Sequence, residues 1–470
     1  MKKYGSILAV VVLLLGFAAM ASAAPAEIPS DTSAVIAKGK TQITLGGELR
    51  FRGYYWKNQW VRDERGYPFG AVNSSNRSGY DYRVRLNLEA KVSPNTTGYI
   101  ELESGTNTSD NVGWGSQNGG ARGVYDFGNT KESNVTIRQA WVQYQGTGLF
   151  GVPAGIKVGR QLIKLGYGLF YDHTYFGDDA ILMFVQPVKE LTLAAALIKW
   201  SEGNTTLNDD SNGYVILGSY AGKGWGISAD IAYVDHQQGY YAITNLSSDK
   251  GKDIHLWNFG LRGNVDDIAG TGLNFKADVE FQTGKITKGS GTDDIKLRGW
   301  AVMAGLDYKF KSIPLSLTLE YAIGSGDDDD TDNKKKSFIT ALGQEQHYTF
   351  VYESLTPTPC SGLSSGNNRT GLCNTQYVKF GGAYDITKDL KAELYGYWLR
   401  AHKEVAINGY TEKDKEIGWE VDAKLTYQID KGLTYFIEGG YFWPGDAYKL
   451  NNGKDPDDAW GVRHGIVLKF

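Results

Sequence analysis

Tyr80-Asp81-Tyr82-Arg83-Val84-Arg85-Leu86-Asn87-Leu88-Glu89-Ala90-Lys91-Val92 decides the fold. One face of this stretch carries Val84, Leu86, Leu88 and Ala90, and the other carries Arg83, Arg85, Asn87, Glu89 and Lys91. Successive side chains of a strand point to opposite faces, so this is a strand with one oily and one wet side. Leu273 to Gln282 and Trp419 to Gln428 repeat the pattern, the latter setting Trp419, Val421, Ala423, Leu425 and Tyr427 against Glu420, Asp422, Lys424, Thr426 and Gln428.

Outward from these stretches, strands are predicted near 41–57, 79–92, 97–104, 135–146, 155–164, 177–187, 190–202, 213–221, 224–236, 254–264, 272–285, 295–310, 314–324, 374–386, 391–404, 416–429, 432–443 and 458–470. Short links alternate with long polar ones, the longest near 58–78, 105–134, 237–253 and 325–373. The rhythm predicts an all-β fold: a transmembrane, antiparallel, up-and-down β-barrel of about eighteen strands, with short periplasmic turns and long extracellular loops. An even number returns both termini to the periplasm. Leu191 to Trp200 and Gly155 to Lys164 alternate poorly. Tyr54, Tyr55, Trp56, Trp398, Tyr441, Phe442 and Trp443 gather at strand ends, as girdles at the lipid interfaces do.

The chain opens with a basic Met1-Lys2-Lys3, an apolar run from Ile7 to Met20, and Ala21-Ser22-Ala23, the order of a secretory signal peptide with its cleavage site. The expected organisation is therefore a signal peptide over 1–23, a periplasmic segment over 24–40 and an outer-membrane barrel over 41–470. The formal charge of −4 gives no sign of a nucleic-acid partner. The last strand, Trp460 to Phe470, alternates and ends on an aromatic residue, like the terminal signal that bacterial barrels show to their insertion machinery. Outer-membrane lipid and lipopolysaccharide are the expected surroundings, and a homo-oligomer is compatible with the sequence.

A wet lumen is distinguished by the sign of its residues. Arg50, Arg52, Arg83, Arg85, Arg138 and Arg160 fall on early strands, and an inward Arg463 on the last strand closes against the first. Clustered guanidinium groups would favour an anionic solute, since arginine makes bidentate contacts to carboxylates. The competing reading pairs them with Glu48, Glu89, Glu101 and Glu103 to brace the wall. Cys360 and Cys373, the two cysteines present, are expected to form a disulfide within one outer loop. Asp327 and Asp329 open an acidic run that could hold a loop Ca2+ or simply be solvated. No other cofactor is expected. The six histidines are scattered, with no G-x-S-x-G or H-E-x-x-H, so catalysis is not expected.

Three segments resemble the alginate export family of outer-membrane barrels: Arg138-Gln139-Ala140-Trp141-Val142 followed by Val158-Gly159-Arg160-Gln161; Tyr175-Phe176-Gly177-Asp178-Asp179-Ala180; and Glu320-Tyr321-Ala322-Ile323-Gly324-Ser325-Gly326-Asp327. The resemblance implies eighteen strands and a channel for an anionic polysaccharide or related acidic solute, with Arg138 and Arg160 in the lumen. The alginate exporter resembled here has a long periplasmic turn between its last strand pairs, where this chain has only Asp430-Lys431-Gly432. A plug would then come from an outer loop, with 105–134 the first candidate. Two alternatives to a channel are a sheath or docking platform for a partner such as an electron-transfer cytochrome, which an unplugged lumen would favour, and an outer-membrane hydrolase.

Overall fold

The computed structural model describes residues 34–38, 41–58, 76–105, 112–113, 134–148, 151–202, 210–237, 253–287, 293–329, 331–340, 348–355, 358–360, 371–405, 407, 413–449 and 455–470. The expected signal peptide and most of loop 105–134 lie outside these residues. Eighteen antiparallel strands close into a barrel. They are β1 Thr41–Lys57, β2 Arg77–Ser93, β3 Thr96–Gly105, β4 Asn134–Thr147, β5 Pro153–Gln161, β6 Asp178–Val188, β7 Leu191–Ser201, β8 Ser211–Gly222 and β9 Trp225–His236. The series continues with β10 Ile254–Val265, β11 Leu273–Ile286, β12 Trp300–Lys309, β13 Leu315–Gly324, β14 Thr375–Asp385, β15 Leu390–Val405, β16 Asp414–Asp430, β17 Leu433–Pro444 and β18 Ala459–Lys469. Each strand pairs with the next in sequence, and β18 closes on β1 with Lys469 opposite Glu48 and Trp460 opposite Lys57. Closure leaves no unpaired edge inside the membrane, where an unbonded backbone group would cost several kcal/mol.

Alternation sets the two faces. Leu86, Leu261, Phe281, Phe380 and Leu394 stand exposed on the outside, an apolar area that only lipid covers comfortably. Arg83, Glu101, Arg138, Asp230, Glu280 and Glu420 are buried on the inside. The short turns fall at one end, as at Asp430-Lys431-Gly432-Leu433, where Gly432 takes a φ of +73° and a Cβ would lie 2.3 Å from the Lys469 carbonyl oxygen. The long loops fall at the other. Phe470 exchanges backbone hydrogen bonds with Gly47 at the short-turn end. Beyond it, β1 overhangs, and residues Ala34–Lys38, within the expected 24–40 segment, pair antiparallel with Thr41 to Leu45 along that overhang.

Two strand boundaries differ from the sequence reading. The predicted strand 295–310 is split: Ile295–Leu297 forms a separate short strand pairing with Gly284 to Ile286, and β12 begins only at Trp300. The predicted strand 155–164 ends at Gln161, because residues 162–177 turn away from the wall. The poor alternation of β7 now has a physical cause. Its outward Leu193 and Leu197 meet lipid, while its inward Ala194, Ala196 and Ile198 are buried in an interior apolar cluster with Leu165, Phe170 and Tyr171 of that turned-in loop.

Candidate functional site: a charged lumen under two inward loops

The loop from Ile163 to Gly177 folds into the barrel and packs against an apolar stretch of wall. Ile163, Leu165, Phe170, Tyr171 and His173 are essentially unexposed, beside inward Leu182, Phe184, Val215, Leu217 and Val234 of β6, β8 and β9. Polar contacts fix its course. Tyr171 donates to Asp178 Oδ2 (2.7 Å) and receives a bond from Trp200 Nε1 (2.9 Å), and His173 Nδ1 lies 2.8 Å from the same carboxylate.

The loop is held from two sides. From β4, Arg138 grips both Glu101 oxygens (3.0 and 2.9 Å), donates to the Tyr175 carbonyl (3.0 Å) and bonds the Thr174 carbonyl. From β10 and β11, Asp278 accepts the Tyr167 backbone N–H (3.0 Å). Gly166, at a φ of +53°, lets Arg262 lie where a Cβ would fall 2.1 Å from its Nε. Arg262 is itself surrounded by carboxylates, with Asp230, Glu280 at 2.5 Å and Asp278 at 3.3 Å, all with side chains no more than 4% exposed.

A second inward segment comes from the loop between β13 and β14. Ile339 exchanges hydrogen bonds with the Gln282 side chain of β11 (2.9 and 2.7 Å). Farther along, the backbone N–H groups of Phe350, Val351 and Tyr352 converge on the fully buried Glu420 carboxylate of β16 at 2.9, 2.6 and 2.8 Å. Phe350 N also reaches Asp422 Oδ2 at 3.0 Å. Consecutive amides aimed at one carboxylate make an anion-holding nest. Here it tethers the loop to the wall. Phe350 packs on Trp56 (4.9 Å) and Tyr348 stacks on Tyr377 (4.5 Å). Cys360 and Cys373 in the same loop are disulfide-bonded, with Cα atoms 6.0 Å apart.

Between these loops runs the arginine wall. Arg50 and Arg52 of β1, Arg83 and Arg85 of β2, Arg138 of β4 and Arg463 of β18 all point inward on neighbouring staves. Their guanidinium groups are interleaved with acids. Arg52 is bidentate to Asp81 (2.9 Å twice), Arg83 contacts Glu48 at 2.5 Å, Arg85 bonds Glu103, and Arg463 meets Glu438 at 2.7 Å. Arg160 does not belong to this wall. It shares the outward face of β5 with Ile156 and Val158 and pairs with Asp179 on the outward face of β6 (3.0 Å), so its predicted place in the lumen is corrected to the outer rim. The parity of Val158, two residues earlier, fixes that placement.

The acidic run forms a tight turn. Asp327 accepts from the backbone N–H groups of Asp329 (3.3 Å) and Lys336 (2.9 Å), Asp329 accepts from Thr331, and the hydrogen bond from Lys336 holds the Asp332 carboxyl down at about 2. Among the described residues no group of three or more His, Cys, Asp or Glu side chains is arranged to hold a metal ion. Ser211 Oγ and His236 Nδ1 lie 2.6 Å apart, but Ser211 is fully buried in the wall, where its hydroxyl is closed to a substrate in this conformation.

Sequence reasoning missed the Arg262 cluster, the Glu420 tether and the inward course of 163–177. The last had a signal in Leu165, Tyr167, Leu169, Phe170 and Tyr171, too apolar a run for a loop that meets only water.

A closed antiparallel barrel with a lipid-facing exterior, a charged interior and inward loops defines an outer-membrane channel of the porin type. Solved structures similar to it include a BenF-like porin from Pseudomonas fluorescens Pf-5 (10% identity, 91% of this chain and 98% of that chain covered, TM-score 0.53). Others are OccAB3 of Acinetobacter baumannii (13%, 91% and 99%, TM-score 0.52) and OccK3 (OpdO) of Pseudomonas aeruginosa (13%, 91% and 95%, TM-score 0.52). At such identities the likeness shows the fold alone. No curated protein matches the chain. The sequence profile of the Alginate export family matches residues 106–462, and the chain belongs to that family.

Proposed function

We propose that the barrel is a constricted channel for small hydrophilic solutes carrying an acidic group, with its long loops at the cell surface and its short turns and both chain ends in the periplasm. The observation that carries this reading is the run of inward arginines on β18, β1, β2 and β4. An arginine already bonded to a wall carboxylate can trade it for a solute carboxylate of similar geometry, so the exchange costs little compared with stripping the guanidinium bare. Arg463, with its side chain 29% exposed, is the best placed of the paired arginines to make such a trade.

The two inward loops favour a small solute over a long polymer, because a polymer needs an open bore along its whole length. They also count against a sheath, which needs room for a protein in the lumen. Liposome swelling tests the proposal. Sodium glucuronate is expected to enter proteoliposomes several-fold faster than glucose, and the advantage is expected to fall when Arg463 and Arg52 are both changed to glutamine. Equal rates for the two solutes would overturn the acid preference.

A further inference from the structure

The outer surface of β14–β17 carries a groove that the channel reading does not use. Gly396 forms its floor, in mid-strand, directly opposite Phe380 on one side and Val421 on the other. A glycine inside a strand weakens it, and usually marks a bend or a close approach by something else. Gly382 on β14 has an internal reason, since a Cβ there would lie 2.2 Å from the Ser316 carbonyl oxygen. Gly396 has none: the nearest atom to a Cβ at this position is the Phe380 carbonyl oxygen at 3.8 Å. The space it leaves opens outward.

Trp398, Trp419 and Trp443 stand in one row above the floor, each directly opposite the next across β15, β16 and β17. Tryptophan gathers at the level of lipid headgroups, so the row places the top of the groove at the interface on the long-loop side. The cleft has a volume of about 710 Å3, within the range of about 300–1,000 Å3 that holds small ligands. Two residues farther along β15, on the same face, Arg400 is exposed, with its guanidinium 6.0 Å from the Trp398 ring centre. It makes no ion pair or hydrogen bond among the described residues, although Glu416 is its cross-strand neighbour.

We propose that this groove binds one acyl chain of a phosphorylated outer-leaflet lipid, with the chain over Gly396 beneath the tryptophan row and the phosphate on Arg400. Charge complementarity selects this occupant. An apolar slot with an exposed guanidinium at its mouth that makes no ion pair among the described residues matches one chain and one anionic headgroup.

The test is native mass spectrometry of detergent-purified, delipidated protein mixed with bisphosphorylated lipid A or with phosphatidylcholine. Wild type is expected to retain lipid A in preference to phosphatidylcholine. Gly396→Leu, which fills the floor, is expected to lower lipid A retention at least tenfold, and Arg400→Gln to erase the preference between the two lipids. Single-channel conductance should be the same in all three proteins, because none of these side chains faces the lumen. Should Gly396→Leu fail the heat-modifiability assay for a folded barrel, Val421→Trp narrows the same groove from its side wall. Lipid retention by folded variants equal to wild type would overturn the proposal, as would lipid-free dimers of wild type that Gly396→Leu separates.

Discussion

Replacing Glu420 with alanine is expected to raise single-channel conductance and to turn a steady current into a rapidly flickering one. Three consecutive backbone N–H groups end on this one buried carboxylate. Hydrogen bonds to a charged acceptor are worth about 1.5–3 kcal/mol each. Cooperativity within such a network prevents simple addition. Even a net loss of about 3 kcal/mol would shift the ratio of tethered to released loop by more than a hundredfold, at about 1.4 kcal/mol per factor of ten. Asp422, left with one N–H from Phe350, does not replace the nest. The Cys360–Cys373 disulfide stays closed, so the released segment remains attached near the wall. Glu420→Gln keeps an acceptor oxygen but loses the charge, and is expected to fall between wild type and alanine. Planar-bilayer recording reads both effects. Conductance in Glu420→Ala equal to wild type would mean that the segment around Phe350 does not narrow the pore.

Replacing Arg262 with methionine is expected to cost more than any other single change in the lumen. Its guanidinium is the ion-pair partner of Asp230, Asp278 and Glu280, which are buried together with side chains at 0% exposure. Removing one member of a buried ion pair costs about 3–5 kcal/mol, chiefly because the opposite charge is left without compensation. Methionine fills much of the same volume, so the loss isolates charge from packing. Tyr167 and Gly166 of the inward loop rest on the same cluster, and the loop should loosen with it. The expected reading is a much lower urea midpoint for unfolding in detergent, partly restored when Asp278→Asn is added, because that change removes one of the stranded charges. An unchanged midpoint for the single variant would contradict the assignment of Arg262 as the keystone of this wall.

The strands were legible where lipid lies on one side and water on the other. Arg83 to Val92 meets that condition, and its alternation survives into β2 without change. Legibility failed where a third environment intervened. On β7 the inward face touches an apolar loop instead of water, so both faces read as oily and the period of two fades. Around Trp300 the ladder on β11 is interrupted after Leu297, but the short strand and β12 pair with β11 in one register, so both fall in one predicted stretch.

The site was less legible than the barrel for a related reason. Alternation says which residues face the lumen, but not what crosses it. The inward arginines of β1, β2, β4 and β18 could be read from parity, and parity also excluded Arg160 once Val158 was placed on lipid. That Arg138 would hold the carbonyls of Thr174 and Tyr175 depends on a loop folding back across the lumen, which no local pattern on β4 encodes. The Glu420 tether likewise joins residues about seventy positions apart in the chain.

The most direct test of the proposed channel is the reversal potential of the wild-type protein in a planar bilayer held across a KCl gradient. An arginine wall that trades its carboxylates for passing anions predicts a potential displaced toward the chloride equilibrium value, and a smaller displacement in Arg52→Gln/Arg463→Gln. A potential displaced toward the potassium value, and unmoved by those substitutions, would contradict it.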